Sequence, residues 1–264
     1  TVTEAALKKI TCDTDKKIPY ANVTAALDAV RKGDADYALV PIENSVEGVV
    51  ARTLDELASG DQLTICAEVT LPVTFAFMTK PGATAIKRIG THPHAESQCR
   101  EYIAKNYPHA EVVPTASTSA AAEAVSRGEL DAAIASSTAA EHFGLEIRAE
   151  DIGDNSGAVT RFICAQKPGW IPDPTGDDRT SMAVFIDIDH AGALLEILQV
   201  FAKNDVNLTF IQSRPTGREL GHYHFIIDVE GHINDSPVGK SVEELREICD
   251  DIRFLGSYPR EVRS

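Results

Sequence analysis

A hydroxyl and a guanidinium stand side by side in the segment DNSGAVTRFIC, residues 154–164, where a polar loop runs into an apolar strand. Because side chains alternate along a strand, Thr160 and Phe162 are predicted to share one face and Arg161 to point to the other. Two interpretations fit this pattern. The pair is either the polar edge of a strand with an Arg ion pair, or it supplies a hydrogen bond and a cation to a reaction.

A second polar group, Glu43, Asn44 and Ser45, follows the apolar run of residues 37–42. An amide and a hydroxyl at this position can fix a polar substrate. Asn and Ser are also good helix caps, and Glu suits the first turn of a helix. The motif alone leaves both interpretations open.

The segment THPHAESQC, residues 91–99, contains His92, His94 and Gln98, residue types that invite comparison with a metal site. Two His residues at positions i and i+2 point to different faces of a helix, and the segment has neither HExxH nor a supporting carboxylate spacing. We therefore predict no metal there. Pro93 fits the first turn of a helix in this segment.

Further hydroxyls, on Ser117, Thr118 and Ser119, precede an Ala-rich helical pattern. They are expected to cap that helix, although hydroxyls and amides at a helix start also suit an anion. The sequence contains no GxSxG elbow, GxGxxG fingerprint or P-loop. Nucleophilic catalysis, dinucleotide binding and ATP binding are therefore disfavoured.

The composition is that of an acidic globular protein of 264 residues with a net charge of −15. This acidic balance argues against nucleic acid or an anionic membrane as a partner. The five cysteines are far apart and form no CxxC pair, so neither a zinc site nor a disulfide framework is predicted, and a cytoplasmic location is expected. We find no signal-peptide pattern and no apolar stretch of the roughly 20 residues that a membrane-spanning helix needs.

These polar groups need a scaffold, which the sequence pattern predicts to be two domains. From residue 18 to 166, short apolar runs alternate with helical patterns, which indicates α/β units. We predict a first domain over residues 1–168, a Pro- and Gly-rich linker over 169–179 and a second domain over 180–264. The second domain has the βαββαβ order of a ferredoxin-like fold. Its predicted elements are a strand at 180–189, a helix at 192–204, strands at 206–215 and 221–231, a helix at 241–252 and a strand at 254–260.

The first domain contains an internal repeat, in which residues 24–40 match residues 119–135 with seven identities in seventeen positions. Each copy has the pattern of a helix that ends in a cation and a Gly, followed by an acidic turn and a buried strand. The repeat predicts two similar α/β lobes whose equivalent strands lead into loops 41–48 and 136–144, facing one cleft. Ligands of open α/β sheets bind beyond the carboxyl ends of the strands, so we expect a small anionic ligand there.

Taken together and in order, these motifs resemble those of prephenate dehydratase, and the second domain resembles the ACT regulatory domain attached to that enzyme. The resemblance covers essentially the whole chain. It implies a two-lobed, periplasmic-binding-protein-like α/β catalytic domain followed by a ferredoxin-like ACT domain. The motifs that carry it are TEAAL, PYANVTAALDAV, ALVPIENSVEGVVARTLDEL, THPHAESQC, TASTSAAAEAV, AAIAS, FGLEIRAEDI and VTRF, then HAGALLEIL and IQSRP.

The resemblance implies a reaction without a cofactor, the conversion of prephenate to phenylpyruvate with loss of water and carbon dioxide. By the family's motifs, Thr160 is expected to be the proton donor or hydrogen-bond partner of the leaving hydroxyl, and Arg161 a cation that binds substrate or organises the site. An alcohol is a poor general acid, so a positioned hydrogen bond is the expected role of Thr160. The matching substrate-binding positions are Glu43, Asn44, Ser45 and Gln98, of which Glu43 is expected to organise the site.

The ACT-like domain implies feedback control by phenylalanine. The family binds this effector between paired copies, so a homodimer or homotetramer is expected. The matching effector positions are Gly192, Ala193, Leu194, Gln212, Ser213, Arg214 and Pro215.

The chain departs from the family pattern in several places, which keeps other functions open. The family's opening strand and Gly-Pro-x-Gly turn do not precede Thr1, Val2 replaces a Phe, and His94 replaces a Gln. Ala158 stands where the family often has Asn, and Gln212 replaces an acid. Arogenate dehydratase is one alternative, differing by one amino group on the substrate. A two-lobed small-anion or amino-acid-sensing protein without turnover is another.

Overall fold

The chain folds into two compact units, which divide between Thr160 and Arg161. The Thr160 unit comprises Thr1–Lys8 and Leu71–Thr160, and the Arg161 unit comprises Lys9–Thr70 and Arg161–Ser264. Within the part of the chain that the structure describes, no helix is long and apolar enough to cross a membrane. The computed structural model describes residues 2–12, 14–46, 48–155, 157–186, 190–215 and 223–261.

Helices and strands alternate along the chain and are numbered in order. The elements up to residue 166 are α1 (Val2–Ile10), α2 (Val23–Lys32), β1 (Tyr37–Asn44), β2 (Gly48–Val49), α3 (Ala51–Ala58), β3 (Thr64–Pro72), β4 (Ala76–Thr79), β5 (Arg88–Thr91), α4 (Pro93–Ser97), α5 (Arg100–Asn106), β6 (Glu111–Pro114), α6 (Thr118–Arg127), β7 (Ala132–Ala135), α7 (Ser137–Phe143), β8 (Glu146–Ala149) and β9 (Val159–Gln166). The later elements are β10 (Asp178–Phe185), α8 (Ala193–Lys203), β11 (Leu208–Pro215), β12 (Tyr223–Glu230), α9 (Ser236–Ile248) and β13 (Asp251–Pro259).

The Thr160 unit is built on a mixed sheet with the strand order β6-β5-β7-β4-β8. β5 runs parallel to β6 and β7, whereas β4 runs antiparallel to β7 and β8. Helix α6 lies close to this sheet, because Gly90 of β5 leaves room for Ala121 and Leu130 where a side chain would otherwise stand. All four residues of β7 are buried, as expected for a short apolar strand covered on both faces.

The Arg161 unit contains two sheets, with the strand orders β2-β1-β9-β3 and β11-β12-β10-β13. The second sheet is antiparallel, and with α8 and α9 it confirms the predicted ferredoxin-like βαββαβ order. Helix α9 begins at Ser236, earlier than the predicted start at residue 241. Asp235 occupies its N-cap position and Pro237 lies in its first turn, which is where Pro is best tolerated in a helix.

One hydrophobic core joins the two sheets of the Arg161 unit, since β1, β3 and β9 contribute to it together with β10, β12 and β13. Gly256 of β13 lies against the backbone carbonyl of Ile65 in β3, so a side chain at residue 256 would collide with that carbonyl. Residues on both sides of the predicted linker 169–179 therefore belong to one compact unit. The division into domains at 168 and 180 stays a prediction.

The predicted internal repeat is confirmed in the local geometry of α2 and α6. The side chains of Asn22 and Ser117 cap these helices, each accepting a hydrogen bond from the backbone N–H three residues on, at 2.9 and 3.0 Å. Gly33 and Gly128 end them with φ of +83° and +82°, a left-handed conformation that only Gly adopts without strain. The two copies then differ: β1 continues into a hairpin with β2, whereas β7 leads into α7.

Candidate functional site

Thr160 is the second residue of β9 and is only 8% exposed. Asn155 shapes the loop before it: its Oδ1 accepts a hydrogen bond from the N–H of Gly157 at 3.1 Å, and its carbonyl accepts from the N–H of Ala158 at 3.3 Å. The carbonyl of Ala158 in turn accepts from the N–H of Val73 at 2.7 Å. The backbone is therefore fixed just before the strand begins, although Ala158 lacks the amide side chain that the family often has there.

Gln98 connects helix α4 with the same loop. It is 7% exposed and ends α4, and its carbonyl accepts a hydrogen bond from the N–H of Asp154 at 2.6 Å. The carboxylate of Asp154 accepts from the N–H of Glu101 near the start of α5, at 3.2 Å. The predicted first-turn position of Pro93 in α4 is confirmed. The structure thus attaches Gln98 through its backbone to the loop that leads to Thr160.

The polar group at residues 43–45 forms a β-hairpin. Glu43 and Asn44 end β1 and pair with β2, and Ser45 lies in the turn. The side chain of Asn44 accepts a hydrogen bond from the N–H of Val46 at 2.8 Å, which stabilises the turn. The helix-cap interpretation is wrong for these residues, because the next helix, α3, starts at Ala51 and has Val50 at its N-cap position.

Arg161 lies at the centre of a buried polar cluster in the Arg161 unit. Its Nη1 is 2.7 Å from Oδ2 of Asp228, its Nε donates to Oε2 of Glu68 at 2.8 Å, and its Nη2 donates to Oη of Tyr258 at 2.9 Å. Glu43 is farther away, at 3.8 Å from Nη1. The ion-pair interpretation of Arg161 is therefore confirmed, while its role towards substrate stays a prediction. We call this group, with Arg179 and Ser181, the Arg161 cluster.

The buried charges of the Arg161 cluster balance one another. Two cations, Arg161 and Arg179, face two carboxylates, Glu68 and Asp228, and Nη1 of Arg179 is 2.8 Å from Oε2 of Glu68. Burial opposes the charge of Arg161, but Asp228, Tyr258 and Glu68 outweigh it and raise the pKa of the guanidinium. Arg161 therefore keeps its protons and acts as a fixed cation, not as an acid.

A chain of hydroxyls orients the acidic side of the Arg161 cluster. Ser181 Oγ donates to Oδ1 of Asp228 at 2.6 Å and is 2.7 Å from Oη of Tyr258. Because Ser181 has one hydroxyl proton, Tyr258 must be the donor between these two hydroxyls. Burial raises the pKa of Tyr258, with Arg161 opposing, so its hydroxyl keeps the proton that it donates.

A separate cavity of about 280 Å³ lies beside the N-terminus of α8 and contains four of the seven predicted effector residues, Gly192, Ala193, Leu194 and Ser213. The side chains of Ile186, Tyr223 and Phe225 contribute to its lining. A larger, open depression of about 810 Å³ near the start of α2 is lined by none of the predicted site residues among those described.

The other three predicted effector residues do not line this cavity. Arg214 forms two contacts of 2.8 Å with the carboxylate of Asp55 in α3. Gln212, two residues away and therefore on the same face of β11, donates to the carbonyl of Ser213 at 3.1 Å. Pro215 ends the strand. Their role in effector binding stays a prediction.

Sequence reasoning missed the partners of Arg161, namely Glu68, Asp228 and Tyr258, and also Arg179, which pairs with Glu68. Two of them had a readable signal: Glu68 is the one acid in TICAEVTLP, and Asp228 lies inside the apolar run FIIDV of β12. Acidic residues are seldom buried unless they are paired, so each predicts a buried cation somewhere in the fold. Their pairing with Arg161 was not readable, because Glu68 is 93 residues away from it in the chain.

Two family models match the chain. The model of prephenate dehydratase matches residues 1–169, and the model of the ACT domain matches residues 184–247. A prephenate dehydratase from Amycolatopsis methanolica is 42% identical over 261 residues, covering 98% of this chain and 86% of that protein. Another from Mycolicibacterium smegmatis is 45% identical over 237 residues, covering 89% of this chain and 76% of that protein.

Solved structures resemble the whole chain. The prephenate dehydratase from Arthrobacter aurescens in complex with L-Phe has a TM-score of 0.91 at 49% identity, and the match covers 98% of this chain and 87% of that one. A structure described as a novel type of quorum-quenching acylase has a TM-score of 0.85 at 29% identity, with 98% and 94% covered.

Proposed function

The chain belongs to the prephenate dehydratase family, and we propose on this basis that Thr160 serves the conversion of prephenate to phenylpyruvate, water and carbon dioxide. The observation that carries this assignment is the buried Thr160 at the entrance of β9, inside the region that the family model matches and next to a fixed Arg161. A hydroxyl on a backbone held in this way needs little rearrangement to meet a leaving group.

The reaction requires little covalent chemistry from the protein. The bond between the ring and its carboxylate breaks, its electron pair enters the ring, and the carbon–oxygen bond of the ring hydroxyl breaks as the ring becomes aromatic. The departing oxygen takes up one proton and leaves as water. Thr160 would donate a hydrogen bond to that oxygen, which lowers the barrier most where water is excluded. No cofactor is needed for these steps.

Besides a hydrogen bond to the departing oxygen, the reaction needs polar groups around the substrate, because prephenate is a dianion. We assign substrate binding to the hairpin residues Asn44 and Ser45 and to Gln98, and the organisation of the site to Glu43 and Arg161. The hairpin turn and the backbone bonds of Gln98 support these assignments, since each of the two segments is held in place by its own hydrogen bonds.

L-Phenylalanine is the effector that we propose for the cavity beside α8. The related structure from Arthrobacter aurescens is described as a complex with L-Phe. The cavity of about 280 Å³ is close to the lower end of the roughly 300–1,000 Å³ typical of small-molecule sites. Its apolar side chains suit an aromatic ring, and the helix N-terminus at Gly192 suits a carboxylate.

Oligomeric state and location follow from the same assignment. We propose a homodimer or homotetramer, which the edge strand β11 and its exposed Ile211 support, since an uncovered edge is a surface for a second copy. Static light scattering measures the assembly directly. A cytoplasmic location agrees with five cysteines that are all thiols.

The test is a product assay on the purified chain with prephenate, without added metal or nucleotide, in the presence and absence of phenylalanine. We expect phenylpyruvate and a change of rate with phenylalanine. Arogenate is assayed in parallel, and faster turnover of arogenate would overturn the substrate assignment. Tight prephenate binding without product, measured by calorimetry, would instead support a sensing protein. An acylase assay is a necessary control, because a chain with this fold carries that description at 29% identity.

A further inference from the structure

Of the three described side chains within 3 Å of the Arg161 guanidinium, two lie beyond the region that the prephenate dehydratase model matches. That region ends at residue 169, and the contacts with Asp228 at 2.7 Å and Tyr258 at 2.9 Å come from β12 and β13. Among the described residues, the side-chain contacts of Arg161 from within that region are those with Glu68 and, at longer range, Glu43. The residue that follows Thr160 in the chain is therefore held by the ACT-like domain.

Asp228 is suited to act as an anchor because it is itself fixed from two sides. It is fully buried, and Ser181 lies directly opposite it in the register of β10 and β12. Ser181 donates to Oδ1 of Asp228 at 2.6 Å, while Oδ2 of Asp228 meets the guanidinium of Arg161. A carboxylate with one oxygen bound to a hydroxyl and the other facing a cation has a single stable orientation.

The strand that carries Asp228 also reaches the effector cavity. Tyr223 and Phe225 of β12 line that cavity, and Asp228 points to the opposite face because side chains alternate along the strand. Phe225 packs with the core beneath α8 and α9, whereas Ile226 belongs to the core shared with β9. One strand therefore contacts both the effector cavity and the Arg161 cluster.

We propose that Asp228 is a positioning residue for the dehydration: it fixes Arg161, and Arg161 fixes the entrance of β9 at which Thr160 stands. This role rests on the proposed function. Consecutive residues of a strand share one backbone, so a displaced Arg161 moves Thr160 with it. A misplacement of about 1 Å at a reacting group costs roughly 100-fold in rate. Catalysis thereby depends on the ACT-like domain even when no effector is bound.

The test begins with Asp228→Asn, which removes the charge but keeps the size and an oxygen for Ser181. We expect kcat to fall by about 10- to 100-fold. KM should change little, because Asp228 is assigned no contact with substrate and the loss falls on the geometry of the transition state. Circular dichroism and the thermal midpoint show whether the variant is folded at the assay temperature.

A matched control is Asp178→Asn in β10, the strand that also carries Ser181. Asp178 is 2% exposed, and its carboxylate accepts hydrogen bonds from the N–H groups of Thr175 at 2.8 Å and Gly176 at 3.0 Å. Removing this charge destabilises the same sheet, and the hydrogen bonds described for the Asp178 carboxylate are with Thr175 and Gly176, not with Arg161. For Asp178→Asn we expect a lower thermal midpoint with an unchanged kcat. If its kcat fell as far as that of Asp228→Asn, general destabilisation would explain both variants, and the positioning role of Asp228 would be overturned.

A double-mutant cycle separates positioning through Arg161 from an independent effect. If Asp228 acts through Arg161, adding Asp228→Asn to Arg161→Gln should leave kcat no lower than in Arg161→Gln alone. Independent, multiplicative losses would contradict the proposal.

The remaining outcomes distinguish a failure of the positioning role from a failure of the proposed function. A folded Asp228→Asn variant with the kcat of the unaltered chain overturns the positioning role alone. An unaltered chain without turnover overturns the proposed function, and the positioning role with it. Should Asp228→Asn fail to fold, Tyr258→Phe is measured in its place, since it removes one hydrogen bond to Arg161 and keeps the ring. We expect its kcat to fall several-fold, and an unchanged kcat would overturn the role.

Discussion

Thr160 and Arg161 are neighbours in β9, yet the bonds that hold their surroundings are of two kinds. The loop before Thr160 is fixed by hydrogen bonds between uncharged groups, at 2.7–3.3 Å, made by the N–H groups of Val73, Gly157 and Ala158. Arg161 is fixed by charge, with Asp228 and a second carboxylate at 2.7 and 2.8 Å. Hydrogen bonds between uncharged groups fix a backbone without adding a net charge, whereas buried ion pairs hold the guanidinium against its partners.

The difference separates two tasks within one motif. A hydroxyl on a fixed backbone can serve the departing oxygen, whereas a buried cation held by two carboxylates is suited to keeping that backbone in place. Substitutions at Thr160 should therefore slow the reaction with little effect on folding. Substitutions at Arg161 should affect both, and this contrast is what the following experiments test.

The largest effect is expected at Thr160. Thr160→Val removes the hydroxyl and keeps the shape, so the departing oxygen loses its hydrogen bond. We expect kcat to fall by about 10²- to 10⁴-fold, the usual contribution of a group that assists proton transfer, with a smaller change in KM. The unfolding free energy, from urea titrations, should change by no more than about 1 kcal/mol.

Thr160→Ser is the matched control, because it keeps the hydroxyl and removes only a methyl group. It should retain far more activity than Thr160→Val. Equal turnover by the Val variant and the unaltered chain would remove Thr160 from the mechanism and erase the distinction between the two neighbours.

Arg161→Gln is expected to cost both stability and rate. Removing one partner of a buried ion pair leaves Asp228 unpaired and Glu68 with Arg179 alone, and breaking a buried pair typically destabilises a protein by about 3–5 kcal/mol. Arg161→Lys should have a stability and a kcat between those of the unaltered chain and Arg161→Gln. Its ammonium group keeps the charge but cannot reach three partners in different directions. Urea denaturation gives the unfolding free energy, and steady-state kinetics gives kcat.

The control for charge removal is the exposed pair of Arg127 and Glu123, 2.9 Å apart. Arg127→Gln should cost no more than about 0.5 kcal/mol, because solvent screens exposed pairs. An Arg161→Gln variant as stable as Arg127→Gln would show that the Arg161 cluster contributes no more than a surface pair.

Local features of this fold were readable from the sequence, and long-range pairings were not. The Gly ends of α2 and α6 and the βαββαβ order follow from propensities that operate within a few residues. The start of α9 at Ser236 also has a local signal, the Asp-Ser-Pro sequence at residues 235–237. The prediction of a start at residue 241 did not use it. The hairpin formed by β1 and β2 could not be predicted from residues 43–45, because Asn and Ser favour turns and helix caps alike.

In the candidate site too, local features were readable from the sequence and long-range pairings were not. Thr160 and Gln98 were identified from family motifs, and the structure adds the backbone bonds that hold each of them. The alternation of β11 was visible in the sequence, but it could not show that Arg214 would meet Asp55, a residue 159 positions away. A partner of this kind is fixed by packing, to which sequence periodicity gives no access.

A smaller effect is expected for Gly256→Ala, which tests whether the close approach of β13 to β3 maintains the Arg161 cluster. The added methyl group would collide with the carbonyl of Ile65, and φ of +139° is unfavourable for Ala. Gly82→Ala is the control, because Gly82 also has a positive φ of +75° but open space around it. We expect Gly256→Ala to lose about 1–3 kcal/mol more than Gly82→Ala.

Kinetics distinguishes the two glycine variants further. Gly256 lies two residues before Tyr258, so its displacement should disturb the hydrogen bond to Arg161 and lower kcat. Gly82→Ala, in the Thr160 unit, should leave kcat unchanged. Equal losses of stability and equal kcat values for both variants would show that the approach of β13 has no bearing on Arg161.

The smallest expected effect concerns another buried basic residue, His224, which is 4% exposed. The centroid of its ring lies 5.2 Å from that of Phe185. Burial lowers its pKa, Arg214 and Arg253 act in the same direction, and Asp55 opposes them. Among the described residues neither ring nitrogen has a hydrogen-bond partner. His224 is therefore neutral in the fold near pH 7, whereas Arg161, surrounded by acids, keeps its charge.

This difference predicts a loss of stability in acid. Below about pH 6.5 the unfolded chain binds a proton at His224 more readily than the folded chain does, so the unfolding free energy should decrease as the pH falls through that range. The contribution is on the order of 1 kcal/mol or less. His224→Phe cannot titrate and should lose less stability between pH 7.5 and 5.5 in urea titrations. A parallel decline in both proteins would show that His224 accepts a proton in the fold as readily as in the unfolded chain, and that burial does not keep this side chain neutral.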